Sequence, residues 1–381
     1  MFSFTVIKKD AATKARVGRL VTSHGEVETP AFMPIGTQGS IKAVSPRDLQ
    51  EIGCQAILAN TYHLYLRPGV GVIRELGGLH RFMGWPGPVL TDSGGYQVFS
   101  LGALRKITEE GVHFQSHLDG SSHLLTPEKV IGAQEELGSD IAMVLDECIP
   151  YPATWEYARI STERTVQWAE RSLDARRKGD QAVFGIIQGG MYRDLRAWCA
   201  SQIVPLSFEG FAVGGLGVGE DEATLHAMGE FTAGLLPEDR PRYLMGVGRP
   251  EDLVFAVCSG YDLFDCVLPT RNGRRGTLFT SKGKLSIKRT EFSRDPAPID
   301  ESCDCYCCRH FSRAYLRHLY LAGEILGAYL LTFHNLYFYH RLMEQLRAAI
   351  REDRLQDLSA EFKSHVNEDR NPEFPGGNTE Y

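Results

Sequence analysis

Four side chains in the last third of the chain have the types and spacing of a metal site. Cys303, Cys305 and Cys308 form a CxCxxC pattern, and His334 follows in the stretch TFHN. Three thiolates and one imidazole satisfy a tetrahedral zinc ion without an open position, so a zinc ion here should be structural rather than catalytic. Spacing alone leaves competing ligands open, which are His310, His318 and His340 for the imidazole and Cys307 for a thiolate.

Catalytic groups must then be sought among polar residues that end apolar segments. Asp92 stands in TDSGGY, Asp146 in LDEC, Gln188 before two glycines and Asp265 in FDCV, and a glycine-rich run occupies 214–219. Carboxylates accept from N–H groups, whereas an amide or a glycine-flanked backbone N–H donates to a carbonyl oxygen, so the set suits a guanine-like base. Asp92 and Asp265 suit exchange at an anomeric carbon, where one carboxylate attacks and the other handles protons.

Most of these residues also have an ordinary structural interpretation. Asp92, followed by Ser93 and a glycine, could cap a helix or form an Asx turn. Asp146 could belong to an ion pair, and Gln188 could satisfy a loop. Asp265 differs, because it lies in an apolar run without a neighbouring turn residue, where a buried carboxylate is costly unless it is used.

Eight short apolar segments position these residues, and stretches with helical periodicity separate them. The predicted strands are 31–35, 56–60, 89–92, 141–146, 183–188, 211–215, 243–246 and 263–267. The predicted helices between them include 46–52, 127–137, 155–175, 193–203, 223–235 and 250–259. Eight alternations favour a (β/α)8 TIM barrel over an open doubly wound sheet, and its active site would lie at the carboxyl ends of the strands.

The segments outside this alternation predict the domain organisation. A β-hairpin, 4–7 with 17–21, should cover the bottom of the barrel, and a zinc-binding insertion should precede the last barrel helix within the helical pattern at 313–351. The predicted divisions are a barrel with its N-terminal hairpin at 1–281, a zinc-binding subdomain at 282–335, a C-terminal helical part that completes the barrel at 336–370, and a loose tail at 371–381.

Composition limits the class of protein and its partners. The 381 residues are 43% hydrophobic, enough for a large core, and the formal net charge of −7 argues against nucleic acid by itself. Seven basic residues and no acidic one lie between 271 and 289, so a polyanion could dock there, unless this is only a solvated loop. Scattered cysteines, and the lack of a secretory signal or a membrane-spanning run, predict a cytoplasmic protein with reduced thiols.

Several motifs taken together give the chain a specific resemblance. They are TDSGGYQVFS (91–100), LDEC (145–148), QGG (188–190), GFAVGGL (210–216), YLMGVG (243–248), FDCVLPTRNGR (264–274) and the CxCxxC with TFHN. From residue 30 to about 335 the chain resembles the bacterial tRNA-guanine transglycosylases, which replace guanine in tRNA anticodons with a 7-deazaguanine. One departure is Gly217, where the bacterial pattern usually has alanine.

The resemblance implies roles for individual residues. Asp265 would be the nucleophile that attacks ribose C1′, and Asp92 the general acid/base. The residues that would bind the base are Asp146, Gln188, Gly215 and Leu216 by hydrogen bonds, Tyr96 and Met245 by stacking, and Ser93 by positioning the substrate. Those that would favour the aminomethyl base preQ1 over queuine are Cys148, Val218 and Glu220, the last by steadying the backbone.

The resemblance also implies partners and a metal. The residues that would hold the RNA loop, with its U-G-U sequence, are Arg271, Asn272, Arg274, Lys282, Lys284 and Lys288. It selects Cys303, Cys305, Cys308 and His334 as ligands of one structural zinc ion per subunit. It further implies a homodimer, in which one subunit contacts the tRNA.

Three rival hypotheses remain. A non-catalytic RNA-binding subunit on the same scaffold should have lost a rim carboxylate, yet all three are present. The archaeal relative that acts on the tRNA D-loop normally carries further RNA-binding domains beyond the barrel. A barrel hydrolase with a catalytic metal would need an open site with three ligands, and the sequence contains no such pattern.

Overall fold

The computed structural model describes residues 2–100, 105–177, 179–360 and 362. Its strands in chain order are β1 (Ser3–Lys9), β2 (Arg16–Thr22), β3 (Gly25–Thr29), β4 (Ala31–Met33), β5 (Ile35–Gly36), β6 (Ile57–Ala59), β7 (Val89–Thr91), β8 (Arg105–Ile107), β9 (Val112–Gln115), β10 (Ser122–Leu125), β11 (Ile141–Met143), β12 (Ala182–Ile187), β13 (Gly210–Val213), β14 (Arg242–Leu244), β15 (Leu263–Asp265), β16 (Thr277–Thr280) and β17 (Gly283–Ser286).

The helices surround this set of strands. In chain order they are α1 (Pro46–Glu51), α2 (Thr61–Leu66), α3 (Val70–Glu75), α4 (Gly78–Met83), α5 (Gly95–Ser100), α6 (Pro127–Leu137), α7 (Trp155–Asp174), α8 (Arg193–Ile203), α9 (Glu222–Ala233), α10 (Pro250–Cys258), α11 (Leu268–Arg274), α12 (Tyr306–His310), α13 (Arg313–Ala322) and α14 (Ile325–Arg351). No helix among the described residues is both long and apolar enough to cross a membrane.

The central sheet closes on itself as a parallel barrel. Its order is β4-β15-β14-β13-β12-β11-β7-β6-β5. Segments β4 and β5 are two halves of the first strand, interrupted at Pro34, which has no N–H for the ladder. The first half pairs with β15 and the second with β6, so eight strands complete the circle. The predicted (β/α)8 barrel and its eight strands are confirmed.

Burial explains why these strands could be predicted from sequence. Every residue of β12 is buried, because helices cover its outer face and side chains of the other strands fill the inner one. The helix-start signals are also confirmed: α6 begins with Pro127 at its first position, and the Thr126 hydroxyl accepts from Lys129 N. Such a cap satisfies one of the N–H groups that a helix leaves free at its start.

An N-terminal sheet closes the bottom of the barrel, where the strands begin. The predicted hairpin is present as β1 and β2, and β3 adds a third antiparallel strand that was not predicted. Arg16 on β2 forms a buried ion pair with Asp262, the residue just before β15, at 2.6 Å. The same guanidinium donates to the carbonyls of Glu238 and Arg240, so one side chain connects this sheet to two barrel loops.

Two further differences concern segments outside the barrel strands. Strands β8, β9 and β10 form an antiparallel sheet inserted between β7 and α6, which the sequence analysis missed. The long helical pattern at 313–351 is two helices rather than one, because Gly323 ends α13 with a φ of 71°. The proposed domain divisions stay a prediction, and the tail at 371–381 lies outside the described residues.

Candidate active site

The four predicted polar residues meet at the mouth of the barrel. Asp92 directly follows β7, Asp146 lies three residues beyond β11, Gln188 directly follows β12, and Asp265 ends β15. All four are buried. Because parallel strands in a barrel end at the same rim, the alternation of strands and helices is what brings these distant residues together.

Asp92 is held by four donors at this rim. Its Oδ1 accepts from the backbone N–H groups of Thr61 and Gly94 at 2.9 and 3.2 Å, and its Oδ2 accepts from the side-chain amide of Gln97 at 2.8 Å. The Asn60 amide also donates to Oδ2. Burial raises the pKa of Asp92 to about 6, and the donors offset this only in part. Asn60 and Gln97 were not predicted as site residues.

Asp265 is held from one side only. The Tyr243 hydroxyl and the Gly246 N–H donate to its Oδ1 at 2.6 and 2.8 Å. Its Oδ2 accepts no hydrogen bond from the described residues. Burial raises the pKa of Asp265, and these two donors lower it.

The two catalytic candidates are close enough to influence each other. The charge of Asp265 further raises the pKa of Asp92, and the charges of both carboxylates raise the pKa of Tyr243. When two carboxyls share one buried site, their pKa values separate, so that one tends to hold a proton while the other is ionised. The repulsion adds to the effect of burial, so Asp92 holds a proton more tightly than it would without Asp265 beside it.

Asp146 and Gln188 form a second group beside this pair. The Gln188 amide donates to Asp146 Oδ2 at 2.8 Å, and the Ser93 hydroxyl lies 3.4 Å from Oδ1. Burial raises the pKa of Asp146 to about 6. Among the described residues Gln188 Oε1 is buried without a hydrogen-bond partner, and the side chains that contact the Asp146 carboxylate, Gln188 and Ser93, are uncharged. The expected alternative of a structural ion pair is therefore wrong for Asp146.

A glycine loop after β13 packs directly on Gln188. A methyl group at Gly215, which has a φ of 67°, would lie 2.4 Å from Gln188 Oε1, so no side chain fits there. Glu220 accepts from the N–H groups of Gly217 and Val218 at 2.5 and 2.9 Å, so its carboxylate holds this part of the loop. Gly217 has a φ of 73°, a conformation that strains alanine.

The remaining base-pocket candidates differ in exposure. Tyr96 is 47% exposed and is not a core residue, whereas Met245 is half-buried and packs against the barrel core. Leu216 is buried. Cys148 is also buried, and burial raises the pKa of its thiol to about 12, so it remains neutral near pH 7.

The predicted RNA-binding residues fall into two sets. Arg271, Asn272 and Arg274 lie on α11, which begins three residues after Asp265. The Arg274 side chain donates to the carbonyl of Thr270, and burial lowers its pKa. The second set lies on or beside the β16–β17 hairpin, is exposed, and consists of Lys282, Lys284 and Lys288.

The cysteine cluster has the geometry of a zinc site. The Sγ atoms of Cys303, Cys305 and Cys308 lie 3.8, 3.6 and 3.4 Å from His334 Nδ1. With Zn–S of about 2.3 Å and Zn–N of about 2.0–2.1 Å, tetrahedral coordination places sulfur and nitrogen about 3.6 Å apart. These four residues form a buried or half-buried group that could hold a metal ion, and Cys307 is outside it.

The surroundings of His334 orient it as a ligand. Its Nε2 donates to the carbonyl of Phe279 at 2.8 Å, which leaves Nδ1 as the nitrogen that faces the thiols. Cys308 N also donates to Cys305 Sγ at 3.3 Å, as is common where a thiolate carries charge. The competing residues His310, His318 and His340 are not part of this group.

The fold and the paired carboxylates at its mouth define a (β/α)8-barrel enzyme, and the comparisons with known proteins identify its family. The family model described as queuine tRNA-ribosyltransferase matches residues 10–368. The chain therefore belongs to the queuine tRNA-ribosyltransferase family, the tRNA-guanine transglycosylases.

Curated relatives cover nearly the whole chain. A queuine tRNA-ribosyltransferase of Caldanaerobacter subterraneus subsp. tengcongensis is 58% identical over 360 residues, which are 94% of this chain and 96% of the relative. One from Solidesulfovibrio magneticus is 58% identical over 352 residues, 92% of this chain and 94% of the relative. One from Thermoanaerobacter sp. strain X514 is 56% identical over 360 residues, which are 94% of this chain and 96% of the relative.

Proposed function

We propose that this enzyme exchanges guanine at the anticodon wobble position for preQ1 by double displacement through a covalent enzyme–RNA intermediate, as a step of queuosine biosynthesis. The observation that carries this proposal is the asymmetry of the carboxylate pair. Asp265 has an oxygen without a donor among the described residues, and Asp92 is the carboxyl whose pKa is raised by its partner. A nucleophile and a proton carrier have these properties.

The two displacements follow from these roles. Asp265 Oδ2 attacks ribose C1′, the C1′–N9 bond breaks, and the departing guanine takes the proton of Asp92. The incoming preQ1 then gives its N9 proton to Asp92 and attacks C1′, which breaks the ester and frees Asp265. Two inversions at C1′ give retention, and neither ATP nor a redox cofactor is required.

Base recognition is proposed for the second group of rim residues. Asp146 would accept from the N–H groups of the guanine-like edge, while Gln188 and the backbone of Gly215 and Leu216 would bind its other polar atoms. The buried Gln188 Oε1 without a described partner supports this role, because such an atom is costly unless a ligand satisfies it. Tyr96 and Met245 would stack on the two faces of the base, and Ser93 would position it.

Preference for preQ1 over queuine is proposed for the loop that Glu220 holds. Cys148 and Val218 would line the space around the 7-substituent, and Glu220 would fix the peptide that meets the aminomethyl group. The supporting contacts are the hydrogen bonds from Gly217 N and Val218 N to the Glu220 carboxylate.

The RNA would be bound by its backbone on one side of the mouth. Arg271, Asn272 and Arg274 would contact the nucleotides next to the target, and the lysines at 282, 284 and 288 would contact phosphates further along the loop. Extrusion of the target base from a single-stranded loop would bring it into the pocket. The bound RNA loop would cover the pocket and exclude water, which would otherwise hydrolyse the ester.

The metal is proposed to be zinc with a structural role. Cys303, Cys305, Cys308 and His334 would hold it, and the bound ion would supply folding free energy to the segment between β17 and α14. All nine cysteines are described in the structure and none forms a disulfide, which fits a reducing compartment, so we propose a cytoplasmic location.

A homodimer is proposed from the exposed apolar side chains near α13 and α14. Tyr315, Leu321, Ile325 and Leu326 are all at least 41% exposed, and Ile325 reaches 84%. Large apolar side chains with this much exposure, close together along the chain, suit a protein interface. Gel filtration and sedimentation of Ile325→Glu should give monomer where the wild type gives dimer, and a monomeric wild type would contradict the proposal.

An exchange assay tests the proposed function. An anticodon stem-loop containing U-G-U is incubated with the enzyme and tritiated guanine, and unlabelled preQ1 is then added to chase the label. We expect incorporation followed by irreversible loss of label, and no incorporation into a matched stem-loop with U-A-U. Incorporation that preQ1 does not reverse would contradict the proposed incoming base, and equal labelling of both RNAs would contradict the proposed target.

A further inference from the structure

Arg196 is a fully buried arginine that none of the roles above uses. It lies in the first turn of α8, directly below the rim, and is 0% exposed. Its side-chain hydrogen bonds within the described part of the chain go to backbone carbonyls, and its Nη1 is buried there without a hydrogen-bond partner. Burial of a guanidinium without a carboxylate is costly unless its N–H groups find other acceptors.

The side chain connects the two loops of the base pocket. Arg196 Nε donates to the carbonyl of Gly190, in the loop after β12, at 2.7 Å. Its Nη2 lies 3.1 and 3.5 Å from the carbonyls of Gly214 and Gly215, in the loop after β13. A methyl group at Gly189 would lie 2.6 Å from Arg196 N, so the glycine before the first carbonyl allows this close approach.

The contacts of Arg196 with the carbonyls of Gly214 and Gly215 also fix the direction of the next two N–H groups. In a planar trans peptide the carbonyl and the next residue's N–H point in opposite directions. Because Arg196 holds the carbonyls of Gly214 and Gly215, the N–H groups of Gly215 and Leu216 point away from it. Neither N–H donates to any described residue, so both remain available at the mouth of the barrel.

The same segment is held from its other end by Glu220. Glu220 accepts from the N–H groups that follow Leu216, whereas Arg196 donates to the carbonyls that precede it. Arg196 and Glu220 are near enough that the carboxylate opposes the lowering of the Arg196 pKa by burial. The orientation of every peptide from Gly214 to Val218 is therefore set by one of two charged side chains.

We propose that Arg196 is the positioning residue for base recognition, which holds the peptide N–H groups of Gly215 and Leu216 toward the carbonyl edge of the incoming guanine or preQ1. This inference rests on the proposed function, since it assumes that the base binds at these loops. The hydrogen bonds of Arg196 go to backbone carbonyls and not to Asp92 or Asp265, so it would act on the affinity for the base and leave the chemistry of Asp265 in place.

Binding of the free bases to the holoenzyme tests this role. Calorimetry with guanine and preQ1 is carried out on the wild type, Arg196→Met and Arg196→Lys, together with the Kd for a U-G-U stem-loop and a thermal melt. We expect Arg196→Met to weaken both bases at least tenfold and to weaken the stem-loop by a smaller factor, because phosphate contacts outside this pocket contribute to its affinity. Arg196→Lys should bind both bases several-fold more weakly than the wild type, because one ammonium does not span both loops as a planar guanidinium does.

Arg242→Met is the matched control, since this buried arginine also donates to two backbone carbonyls, at Leu236 and Pro237, but at the bottom of the barrel. It should lower the melting temperature and leave base affinity unchanged. Wild-type base affinity in Arg196→Lys, or an equal loss in Arg242→Met, would overturn the inference. Failure of the wild type to bind either base would instead count against the proposed function.

Discussion

Tyr243→Phe offers a sharp perturbation of the proposed nucleophile. The change removes one oxygen atom from a fully buried side chain, and with it the 2.6 Å hydrogen bond to Asp265 Oδ1. The Gly246 N–H then remains as the only described donor to that carboxylate. A hydrogen bond to a charged group contributes about 1.5–3 kcal/mol. One pKa unit corresponds to about 1.4 kcal/mol, so the pKa of Asp265 should rise by about one to two units.

The sign of the effect on activity follows from the ionised form of Asp265. Burial already raises this pKa, and the Tyr243 hydroxyl lowers it by stabilising the carboxylate. Without that donor, a higher pH is needed to ionise the nucleophile. The acid limb of the curve of exchange rate against pH should therefore move to higher pH by about one to two units. Below the limb the rate should fall about 10- to 100-fold, and well above it the rate should approach that of the wild type.

Guanine exchange measured from pH 5 to 9 provides the assay. Tyr261→Phe is the control, because it removes an equally buried hydroxyl whose hydrogen bond goes to the carbonyl of Gly229 rather than to Asp265. The control should change stability without moving the limb. A Tyr243→Phe enzyme with the wild-type limb, or the same shift in both variants, would refute the assignment of Tyr243 and Asp265.

Three further predictions concern other parts of the molecule. Cys308→Ala should contain less than one zinc ion per chain by elemental analysis and should melt at a lower temperature than the wild type, because the proposed metal would supply folding free energy. Arg16→Met leaves the buried charge of Asp262 unpaired, so urea unfolding should show a loss of about 3–5 kcal/mol. Gly215→Ala should weaken guanine binding at least tenfold in calorimetry, because its methyl group meets Gln188 Oε1 at 2.4 Å.

Each of these variants has a control in the same chain. Cys307→Ala alters a buried thiol outside the ligand group and should keep the zinc. Lys9→Ala breaks an exposed ion pair with Glu238, so it should cost at most about 1 kcal/mol. Gly120→Ala introduces a side chain at a similar φ of 72° with open space around it, and should leave guanine binding unchanged. If a control variant showed the expected effect and its paired variant did not, the corresponding prediction would be contradicted.

The barrel could be predicted from sequence because its strands are buried on both faces. Segments such as 182–187 are continuous apolar runs, and polar residues stand just beyond them, so Asp92, Asp146 and Gln188 were found from position. The sheet β8–β10 was missed because its strands are short and only partly buried, and they leave no strong pattern.

Residues that act through tertiary contacts could not be found in the same way. Asn60 and Tyr243 lie within predicted strands, but their hydrogen bonds go to aspartates that follow or end other strands. Arg196 occupies a helix position where an arginine is usually exposed, and nothing in the sequence indicates that its side chain turns inward. The one usable signal was the glycine pair at 189–190, which marks a close approach of neighbouring atoms.

The position of the covalent bond tests the central claim most directly. The enzyme is denatured during turnover with a U-G-U stem-loop, the RNA is digested, and the modified peptide is located by tandem mass spectrometry. We predict a ribosyl ester on Asp265, which is absent in Asp265→Asn and forms more slowly in Asp92→Asn, because that variant cannot protonate the departing guanine. An ester on Asp92, or normal exchange of guanine by Asp265→Asn, would contradict the account.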